Sequence, residues 1–191
     1  QTVVYLPYFL SWVVLGGIFI DLLSPGSGIV NGIINSLGGE SIFFLGDNRY
    51  FKGTLIVTDI WKTFGYNAIV YLAAIVGVDT SLYEAAETDG ANRLQQIWHI
   101  TLPGIRGIVV LMMVLSLGNI LNAGFDQVFN LYTKAVYESG DILDTFIYRL
   151  GLIDAQYGAA TAVGLFKSII STIFISTSYY LAYKFSNYRI F

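Results

Sequence analysis

The chain has no cysteine and a single histidine, His99. A disulfide framework, a thiolate metal site and a cysteine nucleophile are therefore excluded, and histidine-based metal clusters lack material. Charge is scarce as well. Asp, Glu, Lys and Arg make up 12% of the 191 residues, against about 25% in soluble domains. The formal net charge is −3 and the pI about 4.9, so nothing favours nucleic acid, whose binding leans on Lys and Arg. No G-x-x-x-x-G-K-[ST] stretch occurs, so these residues offer no nucleotide phosphate loop. No signal peptide with a charged start and a small-residue cleavage site is visible. The first residue is Gln rather than Met, and the expectation is that an N-terminal portion is missing.

What is present is apolar: 55% of residues are hydrophobic and the mean hydropathy is +0.64. That is membrane composition, at a length suited to one helical unit. Four segments, about 3–23, 54–78, 105–125 and 159–185, approach the ~20 residues a bilayer needs. Pro7, Gly16 and Gly17 in the first are tolerable in membrane helices, where neighbours satisfy freed backbone groups. Residues 24–53 carry turn signals (SPGSG, NG, GG, GDN), and Ile29 to Leu37 reads as a short helix at the interface. Residues 126–157 form a second extramembrane loop, with Asp126, Glu138, Asp141, Asp144 and Asp154. Tyr5, Tyr8 and Trp61 suit an aromatic belt. The apolar runs are long and do not alternate, so they predict helices rather than barrel strands. The expected class is an all-α, polytopic membrane protein.

Between the second and third segments lies a polar stretch, LYEAAETDGANRLQQIWHITLP, residues 82–103. Glu84 is followed by two small residues, Ala85 and Ala86, which permit close approach of another surface. Gly90 permits a tight bend, and Pro103 suits the first turn of a new helix. The stretch therefore predicts helix, bend, short helix, then a membrane span. The spacing E-A-A, three residues, G, nine residues, I-x-L-P resembles the cytoplasmic EAA loop of ABC-importer permeases. Glu84, Ala85, Ala86, Gly90, Ile100, Leu102 and Pro103 meet it. Tyr83, Asp89, Ala91 and Thr101 look like the sugar-importing branch, and Tyr5 to Arg189 as a whole resembles its oligosaccharide (lipoprotein/polysaccharide) type.

That resemblance implies a MetI-like bundle of the type I importer kind, with the last four of about six spans present. It implies that 82–103 lies in the cytoplasm of a bacterial cell, below the inner (plasma) membrane. Charge alone does not decide this. Arg93, Arg106, Lys184 and Arg189 on one side balance Arg49, Lys52, Lys134 and Arg149 on the other, and the positive-inside rule returns a tie. The implied partners are a second related permease in a heterodimer, two copies of an ABC ATPase carrying ATP and Mg, an extracellular solute-binding protein, a sugar or oligosaccharide, and membrane lipid. This chain would bind no cofactor and hydrolyse nothing. Glu84 would pair with a basic residue of the ATPase, and Ala85 and Ala86 would form the contact surface. Gly90 would make the bend, while Ile100, Leu102 and Pro103 fix the loop to the third span. Asp89 and Arg93 lie four apart and would brace it. His99 reads as interfacial packing.

Charged side chains within a span are costly and usually face a cavity or a partner. Asp59, Lys62, Thr63 and Tyr66 fall at i, i+3, i+4 and i+7, on one helical face. Ser116, Asn119, Asn122 and Ala123 form a similar polar or small stripe. Hydroxyls, amides and a ring suit a hydrated sugar path. In the maltose-type permease, sugar contacts come from the spans flanking the EAA loop; ungapped counting back from Glu84 lands on Asp59, Lys62, Thr63 and Tyr66, and counting forward lands on Ser116, then near Asn119 and Ala123. Only Tyr66 and Ser116 keep that family's residue types. Asp59 and Lys62 depart from it, which points away from maltose and toward an acidic or aminated sugar. The alternatives are a structural Asp59–Lys62 pair with Lys62 snorkelling, and Asn and Ser as glue between helices. Lys167 faces either a cavity or a partner subunit.

Three other functions compete. One is an ABC permease for a non-sugar solute. An ion-coupled carrier would carry internal repeats and broken midplane helices, and no convincing repeat is present. A membrane enzyme would need a nucleophile, base and orienter, whereas Asp59, Asp126 and His99 lie on different segments. Retention of an ATPase through residues 82–103 separates the permease readings from the other two.

Overall fold

The computed structural model describes residues 2–186, and all regular structure among them is helical. Arg189, counted above on the side of the central loop, lies outside the described residues, as does the side chain of Lys184. In chain order the helices are α1 Thr2–Phe9, α2 Trp12–Leu22, α3 Ile29–Ser36, α4 Asn48–Val76, α5 Thr80–Thr88 and α6 Arg93–Gln96. There follow α7 Leu102–Gly104, α8 Arg106–Gly118, α9 Phe125–Leu131, α10 Tyr137–Gly140, α11 Leu143–Tyr148 and α12 Tyr157–Ser186. Wide π-helical turns occupy Ile97–Thr101 and Arg149–Ile153. The chain divides into two compact units, residues 1–65 with 121–168 and residues 66–120 with 169–191.

Among the described residues α12 is long and apolar enough to cross a membrane without a break, over Tyr157–Tyr180. Three further candidate spans are bent pairs. Val3–Phe9 meets Trp12–Leu22 at 114°, Asn48–Val76 meets Thr80–Thr88 at 68°, and Arg93–Gly104 meets Arg106–Leu117 at 61°. The segment 3–23 is thus two helices. Ser11 ends the first by capping the second, its hydroxyl accepting from the Val14 amide at 3.3 Å. Helix ends leave carbonyls without partners, and Lys62 Nζ donates to the Leu10 carbonyl at this elbow, at 2.6 Å. The same ammonium lies 4.8 Å from the centre of the Trp12 ring. α4 starts at Asn48 rather than 54, and α8 stops at Gly118, short of 125.

In the first unit, α2 packs on α9, and Leu15 on the one and Val128 on the other are buried. Leu45, Phe51, Leu131 and Val136 form a buried cluster, flanked by Trp12, Phe19, Leu23, Leu55 and Tyr132. Phe51 is fully buried, worth about 1.5–3 kcal/mol in transfer from water. The stretch 24–47 has little regular structure, and a buried amide holds it. Asn31 Nδ2 donates to the carbonyls of Leu23, Ser24 and Ile42, and its Oδ1 accepts from the Ile42 amide at 2.7 Å.

The stretch 132–153 is braced by charge. Arg149 reaches both carboxylate oxygens of Asp141, at 3.2 and 2.5 Å, and Thr145 Oγ1 donates to the same group at 2.7 Å. The guanidinium also covers the Tyr137 ring at 4.6 Å. Burial pushes the Asp141 carboxyl up, but the Arg149 and Thr145 donors outweigh it and hold it below the usual carboxylate value. Hydrogen bonding to Asp141 correspondingly raises Arg149.

In the second unit α5, α6 and α7 lie in sequence around one bend. α6 and α7 each pack against the π-helical turn between them. Pro103 explains that turn, because it has no N–H to offer the His99 carbonyl and its ring would clash there. The Leu102 amide instead reaches back to Ile97.

Candidate functional site

Two sites follow, one in each unit. The first is the bent element 79–104. Asp79 starts α5, its carboxylate accepting from the Ser81 amide at 2.9 Å. That hydrogen bond holds the Asp79 carboxyl below the usual range. The helix ends in a Schellman motif. The Ala91 amide bonds to the Ala86 carbonyl at 2.9 Å and the Gly90 amide to Glu87 at 3.0 Å. Gly90 takes φ +78°, a left-handed setting that a Cβ would penalise.

Two residues later Asn92 opens α6 with a reciprocal capping box. Its side chain accepts from the Gln95 amide at 3.0 Å, and the Gln95 side chain accepts from the Asn92 amide at 2.7 Å. The N-x-x-Q spacing was a readable signal for this start. The bend at Gly90 and the short helix after it match the expectation from sequence.

The ends of the element are tied together. Tyr83 and Thr101 share a hydroxyl–hydroxyl bond of 2.8 Å. Gly104 lies so close to Val78 that a Cβ there would come within 2.9 Å of a valine methyl. No ion pair joins Asp89 to Arg93 among the described residues, so capping rather than charge braces the bend. Glu84, Ala85, Asp89, Gly90, Leu102 and Pro103 are exposed, and Ala86 and Ile100 are half-buried. Leu82, Leu94 and Trp98 are also exposed, the last two at 66% and 63%. Ala86, Ala91, Gln95, Gln96, His99 and Ile100 line a groove of about 270 Å³. His99 is exposed, and its Nδ1 sits 2.9 Å from the Gln95 carbonyl.

The second site is a cavity of about 520 Å³ in the first unit. Asp59, Asn122 and Ala123 line it together with Lys52, Gln127 and Ser139. Lys52 and Asp59 are seven apart on α4, so they share a helical face. Gln127 is buried, its amide donating to the Leu55 carbonyl at 2.7 Å and to Thr58 Oγ1 at 2.8 Å. Asn122 accepts from Lys167 Nζ at 2.8 Å. The site offers both charge signs, amides and a hydroxyl beside apolar Ile56 and Val128, a surface suited to a polar solute with C–H faces.

The remaining sequence-picked residues stand elsewhere. Lys62 is turned to the α1–α2 elbow and does not line the cavity; no ion pair joins it to Asp59. Thr63 is spent on its own helix, donating to the Asp59 carbonyl at 2.8 Å. Tyr66, Ser116 and Asn119 belong to the other unit. Because α8 ends at Gly118, the stripe from Ser116 to Ala123 does not continue along one helix. Lys52, Gln127 and Ser139 were missed. Lys52 precedes the expected span start, and the other two lie in what read as an external loop.

The chain is 41% identical over 191 residues to the polygalacturonan/rhamnogalacturonan transport system permease protein YteP of Bacillus subtilis (strain 168), covering all of this chain and 60% of that protein. It is 40% identical over the same length to Protein LplB of that organism, with the same coverage. Its fold matches a chain in the crystal structure of a bacterial ABC transporter involved in the import of the acidic polysaccharide alginate. The TM-score there is 0.94 at 39% identity, over 97% of this chain and 65% of that one. A second matched structure, with a TM-score of 0.93 at 40% identity over 96% of this chain and 64% of that one, is the alginate transporter in complex with an alginate pentasaccharide-bound periplasmic protein. The chain thus spans about three fifths of the curated relatives it matches. The family model described as binding-protein-dependent transport system inner membrane component matches residues 1–190, and the chain belongs to that family of membrane proteins.

Proposed function

We propose that this chain is the membrane-spanning part of a permease subunit in an ATP-driven, binding-protein-dependent importer of oligosaccharides. The observation that carries the reading is the bent element 79–104. Its backbone is held by its own caps, while Glu84, Ala85, Leu94 and Trp98 are left exposed. A rigid element with such a surface is what a soluble ATPase needs in order to push on membrane helices. Glu84, Ala85, Ala86, Asp89 and Gly90 form the docking turn, and Ile100, Leu102 and Pro103 lead into the next span.

ATP and Mg are held by two copies of that ATPase, and this chain performs no catalysis. It sits as a multi-pass protein in the bacterial inner membrane, paired with a second, related permease. An extracellular solute-binding protein delivers the solute to the side bearing residues 24–53 and 126–157. The names of the relatives support a carbohydrate, and the alginate importer's acidic cargo favours an acidic oligosaccharide. Lys52 in the cavity wall is the cation that would meet a uronate, while Asp59, Asn122 and Ser139 meet hydroxyls.

The test is uptake in cells carrying Glu84→Lys or Gly90→Pro in the full-length chain. Uptake should be lost while the complex still inserts, because an exposed ion pair adds little to assembly. Wild-type uptake in both variants would remove the coupling role.

A further inference from the structure

Lys167 is a cation within α12, and a charge within a membrane-crossing helix is normally committed to a partner. Its Nζ donates to Asp144 Oδ1 at 2.5 Å and to Asn122 Oδ1 at 2.8 Å. The Lys167 and Asp144 side chains are 14% and 23% exposed. At that burial, removing one partner strands the other's charge. Another ion pair among the described residues, Arg149–Asp141, joins residues eight apart in one short stretch. The partners of Lys167 are 23 and 45 residues away. One ammonium therefore ties α12 to the first turn of α11 and to the run that separates α8 from α9. Residues 122–124 of that run line the cavity and lie outside any helix. Gly124 is the N-cap of α9, its carbonyl accepting from the Val128 amide at 3.0 Å; Asn122 lies outside that ladder, and the Lys167 bond is a side-chain tie that holds it.

We infer that Lys167, held by Asp144, is the positioning residue that sets Asn122 and the 122–124 run as a wall of the cavity. Lys167 acts through Asn122 and is not among the residues lining the cavity. Only the transport consequence rests on reading that cavity as the solute path.

The experiment uses the full-length chain in a cysteine-free background, with Ala123→Cys as the reporter in native membranes. The rate of its modification by a water-soluble maleimide is measured alone, with Lys167→Met, with Asp144→Asn, and with the exchange Lys167→Asp plus Asp144→Lys. The single variants should change the rate several-fold, and the exchange should bring it back toward the parent. If Lys167→Met does not accumulate, Asn122→Ala carries the same expectation, because it keeps the ion pair and deletes the tie. An unchanged rate in either variant at normal protein levels overturns the inference. In the same membranes Lys167→Met should raise the half-saturating solute concentration about fivefold with the maximal rate kept, the signature of lost binding rather than lost turnover. A changed labelling rate with unchanged uptake upholds the clamp and overturns the cavity as the path.

Discussion

The stretch 125–153 and the element 79–104 are built from the same parts, short helices and one π-helical turn each. They spend their side chains differently. In 125–153, polar and charged groups are committed inward: Gln127 to α4, and Arg149 to Asp141. Val128, Leu131 and Val136 are buried there. In 79–104, helix caps do the holding and no ion pair forms among the described residues, leaving Leu94 and Trp98 in the open. A stretch stabilised by its side chains has few left for a partner. One stabilised by a few short-range caps and a single hydroxyl pair leaves its larger side chains, Glu84, Leu94 and Trp98, for one.

The largest expected effect contrasts Phe51 with Trp98. Phe51→Ala, in the cluster beside Leu131 and Val136, should cost about 3–5 kcal/mol of stability. Trp98→Ala should leave the thermal midpoint of the isolated subunit nearly unmoved and weaken co-purification of the ATPase. A large loss of stability in Trp98→Ala would end the contrast.

Next is Asp141→Asn, expected to cost about 1.5–3 kcal/mol because the lost acceptor bonds a charged group. The folded Asp141 carboxyl titrates below its ordinary value, near 3.9 when unfolded. Its contribution is therefore present above about pH 4 and is lost as pH falls through the lower, folded value. Melting curves of wild type and Asp141→Asn should diverge above pH 5 and converge at lower pH. Curves that stay parallel down to pH 3 would count against the pairing.

The smallest effect belongs to Asn92→Ala, which deletes one capping-box partner at about 1 kcal/mol. It should show as faster amide exchange confined to 92–96, with uptake reduced in proportion. No local change in exchange would mean the bend does not depend on that cap.

The second site was legible in sequence only in part, and the first almost wholly. The element 79–104 is local: Gly90, the N-x-x-Q box and Pro103 act on residues within five positions, and their chemistry reads directly from spacing. The cavity is assembled from residues distant in sequence, Lys52 with Ser139, and Asn122 with Lys167. Helical spacing placed Lys62 and Asp59 on one helix, α4, but Lys62 is buried at the elbow and Asp59 faces the cavity. It carried no information about the Leu10 carbonyl, 52 residues away, which claims the ammonium. The break in 3–23 follows a single serine cap, easily overlooked within an apolar run. The end of α8 at Gly118 removed the periodicity on which the 116–123 stripe depended.

The widened turn at Ile97–Thr101 carries a last consequence. Each α-helical residue advances the side-chain direction by about 100°, so the extra residue before Pro103 sets the angular phase between Arg93 and the span that follows. Inserting or deleting one amino acid there would act like a slipped gear tooth, re-aiming Leu94 and Trp98 with composition almost untouched. Length, more than residue identity, is the quantity this turn constrains.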